Sequence, residues 1–269
     1  MPYISNTKEQ QNAMLADLGC SLDDLFSDIP EDMHCGGLDL RQGISEQQIH
    51  DRLYGMAEKN AHDLVCFVGG GFYDHYVPAA VSDIVSRSEF YTAYTPYQAE
   101  ASQGTLQAIY EYQSAICRLT GMEVANASLY DGGTAIYEAM MMARRITRRN
   151  KIIIDDSLNP IYRVMLKSYT RNLNIELVEV QSRDLTVNRP EILDNLDDKT
   201  AAVILQNPNF FGTVDNFSDI AEKVHEKKSL LIASCYPVSL GVLETPAAMG
   251  ADIVTGEGQS LGLPLSFGG

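Results

Sequence analysis

Gly132 and Gly133 lie at the start of a stretch rich in Ala and Met, and Thr134 follows them directly. The composition of this stretch (133–149) predicts a helix, and a strand-like run, EVANASL (123–129), lies before it. Glycines at the amino end of a helix leave backbone N–H groups free to bind a phosphate or a carboxylate. These three residues are therefore a possible anion-binding cradle. A Gly-Gly turn that only starts a helix is the alternative, and the residues alone leave both open.

The segment 90–100 (FYTAYTPYQAE) combines aromatic rings with polar tips, and Pro96 prevents it from being helical. The hydrogen-bonding side chains at its centre are Tyr94, Thr95, Tyr97 and Gln98. Side chains of this kind on a loop could stack on a ring and hydrogen-bond a small ligand. The alternative is a half-buried connecting loop that its tyrosines hold in place. The residue types alone favour this alternative.

Three consecutive glycines (69–71) lie shortly before Tyr73, Asp74 and His75. Side chains of adjacent loop residues rarely face each other, so a catalytic Asp–His pair is not expected. Instead, Tyr73 or His75 could contact a neighbouring subunit. The sequence has no Ser–His–Asp order, HExxH, P-loop or GxGxxG motif. Its five cysteines are widely separated without a CxxC pair, which indicates reduced thiols, and no metal site is predicted.

The elements that would position these groups change in character near residue 120. After it, short apolar runs recur at 152–154, 175–180, 201–205, 229–233 and 252–255. The segments predicted to be helical lie at 133–149, 160–171, 189–195 and 217–228. Apolar strands that alternate with helices indicate an α/β protein whose mainly parallel sheet is covered by helices on both sides.

Before residue 120 the sequence indicates helices and long connections. Ser45 and Gln48 form a capping-box pattern that predicts a helix to about Asn60. Another helix is predicted from about Gln103 to Thr120, with Ser102 as its N-cap. We therefore expect two domains: residues 1–120 as a helical N-terminal arm with interface loops, and residues 121–269 as a large α/β domain.

The charge of the chain excludes two classes of partner. A formal net charge of −16 and a pI of about 4.6 argue against a nucleic-acid surface or an anionic membrane. No apolar run approaches the ~20 residues that span a bilayer, and the amino terminus lacks the hydrophobic region of a secretory signal. The expectation is a cytoplasmic protein that binds neither nucleic acid nor membrane.

Five sequence blocks in order carry a resemblance to a known family. They are PYISNT, FVGGGFYDHYVPA, YTPYQAEASQGTLQ, YDGGTAIYEAMMMA and GEGQSLGLPLSFGG, which together span the whole chain. The chain resembles the alpha half (subunit 1) of the glycine cleavage system P-protein family. The resemblance implies a fold-type I transferase dependent on pyridoxal phosphate (PLP). Members of this family continue beyond SFGG, so the small carboxy-terminal domain is expected to be absent.

The resemblance also implies that two cofactor anchors are lost. In the PLP-binding half, a lysine in a His-Lys-Thr context holds the cofactor as a Schiff base, and Gln259 stands at that position here. Fold-type I enzymes place an aspartate beside the pyridinium nitrogen, and Ser234 stands in its place. An amide forms no imine and a serine carries no charge. The PLP of the complex is therefore expected to be held by the partner subunit.

The implied activity belongs to a complex. With P-protein subunit 2, the chain would decarboxylate glycine, release CO2 and pass the aminomethyl group to lipoyl H-protein. Tyr73, His75, Tyr94, Thr95, Tyr97 and Gln98 are the residues expected to line the active site at the subunit interface. Two alternatives stay open: a PLP enzyme that uses a lysine elsewhere in the chain, and a non-catalytic scaffold or regulatory paralogue.

Overall fold

The computed structural model of the chain describes residues 6–65, 73 and 75–264. Contacts between Cα atoms divide the chain into two units, Met1–Val65 and Cys66–Gly269. The division predicted at residue 120 stays a prediction. Among the described residues, no helix is long and apolar enough to cross a membrane.

Two helices with capping boxes make up most of the regular structure in the first unit. They are α1 (Lys8–Leu18) and α2 (Glu46–Ala57). At the start of α2, Ser45 and Gln48 exchange the predicted hydrogen bonds, because each residue satisfies the backbone N–H group that the other leaves free. None of the described residues 6–65 is buried, so these helices are held by local capping rather than by a core of their own.

The second unit contains the remaining helices and the whole sheet. The helices are α3 (Ala79–Val85), α4 (Ser88–Tyr91), α5 (Ala99–Thr120), α6 (Gly132–Thr147), α7 (Pro160–Thr170), α8 (Arg189–Asn195) and α9 (Ser218–Glu226). The strands are β1 (Lys151–Asp155), β2 (Glu176–Val180), β3 (Thr200–Asn207), β4 (Leu230–Cys235) and β5 (Ile253–Gly256).

The five strands form one parallel sheet in the order β2-β1-β3-β4-β5, covered on both faces. On one face, Ile152 and Ile204 pack with Ile136 and Met140 of α6. On the other face, a second buried cluster joins Ile153, Val203 and Leu231 to apolar side chains of α8 and α9. The central strands carry apolar residues on both sides because both sides are buried. The predicted α/β fold with a helix-covered parallel sheet is confirmed.

Two local predictions before the sheet need correction. α5 begins at Ala99 rather than at Gln103, but it consists of two helices joined across a kink at Ser102 (φ −126°, ψ 23°), so its longer part begins where the sequence predicted a helix. The N–H group of Ser102 donates to the Gln98 carbonyl oxygen and closes the turn before the kink. The run 123–129 forms no strand; Val124 is 83% exposed, and an isolated alternating run has no neighbour to pair with.

Gly250 allows the chain to pass close to α9 before it enters β5. Its φ is +91°, and an added Cβ would lie 2.7 Å from the Cβ of Ala221. Gly212 has a similar φ of +85° but open space around it. We expect Gly250→Ala to lower the free energy of unfolding by about 2–4 kcal/mol, because backbone strain and a steric clash add.

Gly212→Ala is the matched control for Gly250→Ala, since it introduces the backbone strain without the clash. We expect a loss of about 1 kcal/mol for it. Urea unfolding of both variants measures the difference. Equal losses for the two variants would show that α9 does not restrict position 250.

Candidate functional site

A cavity of about 470 Å³ lies at the carboxyl ends of β3, β4 and β5. Gln206, Ser234 and Gly256 contribute to its walls from the ends of these three strands. The backbone N–H of Asn159, after β1, donates to Oε1 of Gln206 at 2.8 Å and joins the neighbouring loop to this edge. Ligands of open α/β sheets bind at the carboxyl ends of the strands, so this cavity is the candidate functional site.

The two positions identified as lost anchors both line the cavity. Ser234 lies on β4 between Gln206 of β3 and Thr255 of β5, and it is 5% exposed. Gln259 follows β5 and is 9% exposed; its Nε2 donates to the Leu263 carbonyl oxygen at 2.7 Å. The side chain of Gln259 is therefore fixed by the local backbone, with an amide where an amine would be needed for imine chemistry.

Two of the three backbone N–H groups of the predicted anion cradle are hydrogen-bonded to carboxylates of the chain itself. The Gly132 N–H donates to Oε2 of Glu257 at 2.7 Å. Asp131 is the N-cap of α6 and accepts hydrogen bonds from the backbone N–H and the hydroxyl of Thr134, at 2.6 and 2.9 Å. Carboxylates at a helix amino terminus are favoured by the unpaired N–H groups and the helix dipole. The N–H groups of Gly132 and Thr134, which could bind an external anion at this point, therefore already have partners.

Glu257 is the residue of this site that sequence reasoning missed. An added Cβ at Gly132 would lie 3.1 Å from Glu257 Oε2 and would collide with the Tyr162 hydroxyl, so the glycine makes room for both side chains. Its only sequence signal is its position, directly after β5 and two residues before Gln259. Acidic residues in loops are common, and that signal alone does not single it out.

Burial and negative charge shape the electrostatics of this end of the cavity. Burial raises the pKa of Glu257, and the neighbouring charge of Asp131 raises it further. Burial, with smaller effects from Glu257 and Asp131, raises the pKa of Tyr162 to about 12. Tyr162 therefore stays protonated at neutral pH, and the carboxyl groups of Glu257 and Asp131 are the acidic groups at this end of the cavity.

Tyr73 and His75 reach the cavity as well. The Nε2 atom of His75 is hydrogen-bonded to the Tyr236 hydroxyl, and the Tyr73 ring meets the Tyr236 ring edge-on with centroids 5.4 Å apart. The glycines at 69–71 and Asp74 lie outside the described residues. Tyr73 and His75 thus both contact Tyr236, in the loop after β4.

The other predicted site residues lie away from the cavity walls. Tyr94 and Tyr97 are 89% and 84% exposed. Thr95 has a left-handed φ of +36°, and Gln98 occupies the N-cap position of α5 without a side-chain capping bond. The structure therefore brings together Tyr73, His75, Gly132, Ser234 and Gln259, while the aromatic segment presents its side chains to solvent.

The cavity shows no further nucleophile or metal centre among the described residues. Cys235 lines it, but burial raises the pKa of this thiol to about 12, so it carries no thiolate at neutral pH. Within the same described ranges, no group of three or more His, Cys, Asp or Glu side chains could hold a metal ion.

The parallel sheet, its two helical layers and the cavity define the class of protein: the fold is that of the fold-type I PLP-dependent transferases. A sphingosine-1-phosphate lyase from Burkholderia pseudomallei shares this fold with a TM-score of 0.59 and 14% identity. That comparison covers 85% of this chain and 58% of the lyase.

The chain belongs to the glycine cleavage system P-protein family, whose model matches residues 1–269. It is 56% identical to probable glycine dehydrogenase (decarboxylating) subunit 1 of Oleidesulfovibrio alaskensis and of Geotalea uraniireducens. A crystal structure of glycine decarboxylase (P-protein), in inhibitor-bound form, matches with a TM-score of 0.90 and 40% identity. Each of these comparisons covers 100% of this chain, which spans 61% of the length of the relatives it matches.

The carboxylate of Glu257 leads to a prediction about stability. Glu257→Gln keeps an acceptor for the Gly132 N–H and removes an ionised group that burial disfavours. A raised pKa in the folded state favours folding below the ordinary value of 4.5, and this contribution is lost as the pH rises through the folded-state pKa. We therefore expect the variant to gain stability over the native chain as the pH rises from 4 to 8.

Urea unfolding of the native chain and of Glu257→Gln across that pH range measures the effect. Glu244→Gln, at an exposed carboxylate outside the cavity, controls for the loss of one charge. A stability difference that turns against Glu257→Gln as the pH rises would show that the ionised carboxylate stabilises the fold.

Proposed function

We propose that this chain is the half of a two-chain glycine decarboxylase that does not anchor the cofactor. Together with a subunit 2, it decarboxylates glycine, releases CO2 and passes the aminomethyl group to the lipoyl group of H-protein. The observation that carries this proposal is the similarity to subunit 1 proteins over the full chain, combined with Gln259 in the cavity.

The cavity itself does not fit PLP, which supports the assignment of the cofactor to the partner subunit. A Schiff base with PLP needs a lysine amine, and the side chain of Gln259 is an amide. The ring nitrogen of PLP needs a carboxylate beside it, and the side chain of Ser234 carries no charge. The Gly132 N–H that would bind a phosphate already binds Glu257. A phosphate dianion placed there would meet Glu257 and Asp131, and like charges at short distance in a partly buried site repel strongly.

The lysines of the chain do not favour a self-sufficient enzyme. No lysine lies among the described residues that line the cavity. Lys151 lies at the start of β1, at the amino ends of the strands, whereas the cavity lies at their carboxyl ends. Its Nζ donates to the Asn195 carbonyl oxygen and to the Asp197 carboxylate. These contacts fix the amine far from the carboxyl ends of the strands.

We further propose that the aromatic segment acts at the interface with subunit 2. Tyr94 and Tyr97 expose most of their surface, and exposed tyrosines are over-represented in protein interfaces because they combine apolar area with a hydrogen-bonding tip. Their work, with Gln98, would be to position the substrate and exclude water at the partner's active site. Proton transfer is not assigned to them.

Reconstitution tests the proposed function. We expect glycine-dependent CO2 exchange with lipoyl H-protein only when this chain is mixed with a lysine-bearing subunit 2, and no PLP absorbance from this chain alone. Turnover by the isolated chain would overturn the proposal. If the mixture is inactive although the two chains co-elute as a complex, either the length that the relatives have beyond this chain is needed or the scaffold alternative holds, and the same assay on a chain of the relatives' full length separates these two outcomes.

Variants of the aromatic segment test its role. We expect Tyr97→Phe and Gln98→Ala to lower the activity of the reconstituted complex by about tenfold or more, since each removes a hydrogen-bonding group at the interface. Thermal unfolding of the isolated chain should not change, because both side chains are exposed.

Tyr110→Phe, at a tyrosine of α5 that is 72% exposed, is the matched control and should keep full activity. If all three variants turn over like the native complex, the segment has no part in the active site.

A further inference from the structure

Among the described residues that line the cavity, Glu257 is the only Asp, Glu, Lys or Arg. Its Oε2 accepts the Gly132 N–H, whereas Oε1 accepts no hydrogen bond from the residues that the structure describes. Asp131 adds a second negative charge close by, as its effects on the pKa values of Glu257 and Tyr162 show. The free carboxylate oxygen is therefore available to a hydrogen-bond donor, and a cationic donor would gain most.

The remaining walls of the cavity combine aromatic rings with neutral amides. Tyr73, Tyr162, Phe210 and Tyr236 supply the rings. Asn159, Gln206, Asn209 and Gln259 supply the amides. Ring faces attract both other rings and cations, and the volume of about 470 Å³ is within the usual range of small-molecule sites.

The charge and the walls together define a class of ligand. We propose that this cavity binds a small aromatic compound that carries one primary ammonium group, with the ammonium on Glu257 and the ring among the tyrosines. The lining residues named here all belong to this chain, so binding can be measured without subunit 2. This preference for a cation is opposite to that of a site for a phosphate-bearing cofactor, because the Glu257 carboxylate would repel the phosphate.

Three probes with the same ring separate charge from shape. Benzylammonium, benzyl alcohol and benzoate carry charges of +1, 0 and −1 on nearly the same framework. We expect isothermal titration of the full chain to show binding of benzylammonium at least about tenfold tighter than that of benzyl alcohol, with benzoate weaker still. Equal affinity for the three probes, or no binding of benzylammonium, would overturn the proposal.

Variants at position 257 locate the charge that selects the ligand. Glu257→Gln should lower the affinity for benzylammonium by about tenfold or more and remove the preference over benzyl alcohol. Glu257→Asp should keep the preference with reduced affinity, because the charge remains on a shorter side chain. Glu244→Gln, which removes an exposed carboxylate elsewhere, should bind like the native chain.

Circular dichroism checks that each variant is folded before titration, and Glu257→Asp provides the second comparison if Glu257→Gln does not fold. An unchanged charge preference in Glu257→Gln would place the binding site elsewhere and overturn the proposal. Because these titrations use this chain without subunit 2, an inactive reconstituted complex would not affect their outcome.

Discussion

The hydrogen bond between the Gly132 N–H and the Glu257 carboxylate is the interaction on which the character of the site depends. It joins the amino terminus of α6 to the loop that follows β5, two segments separated by 125 positions in the chain. A helix amino terminus in a fold of this type would ordinarily attract an external anion. Here the chain supplies that anion itself. The result is a cavity whose described lining residues include one carboxyl group and no Lys or Arg, so that it favours a cation over an anion.

The packing around this hydrogen bond explains why position 132 is a glycine. Gly132 leaves room for Glu257 and for the Tyr162 ring of α7, so α6 and α7 approach closely at their amino ends. The parallel sheet holds β4 and β5 side by side, which sets Ser234 and Gln259 at the same edge. The packing of the sheet and of the two helices thus fixes the positions of these side chains.

Much of the fold could be predicted from the sequence, because the determining signals are local. The apolar runs predicted all five strands to within a few residues, since strands buried on both faces contain few polar positions. The capping box at Ser45 and Gln48 depends on a spacing of three residues and was equally visible. The helical turn that precedes Ser102 was missed because its residues give no start signal.

The candidate site was predictable only in part. Ser234 and Gln259 were recognisable because they replace residues of a known pattern at fixed positions. Glu257 was not, because its meaning comes from a contact with a residue far away in the chain, and a lone carboxylate after a strand has no distinctive pattern. The exposure of Tyr94 and Tyr97 was likewise missed, since sequence physics alone favoured a half-buried connection.

The hydrogen bond between Gly132 and Glu257 also affects how this site could change by mutation. Exchanging Gln259 for lysine would restore the amine but would leave the Glu257 carboxylate at the amino terminus of α6 and Ser234 without charge. Each reverse step brings no benefit until the others are made, because a cofactor with two of its three anchors absent gains little binding energy. On the proposed function, the absence of the cofactor from this chain is therefore hard to reverse, because the amine, the charge beside the ring nitrogen and the free helix amino terminus would have to return together.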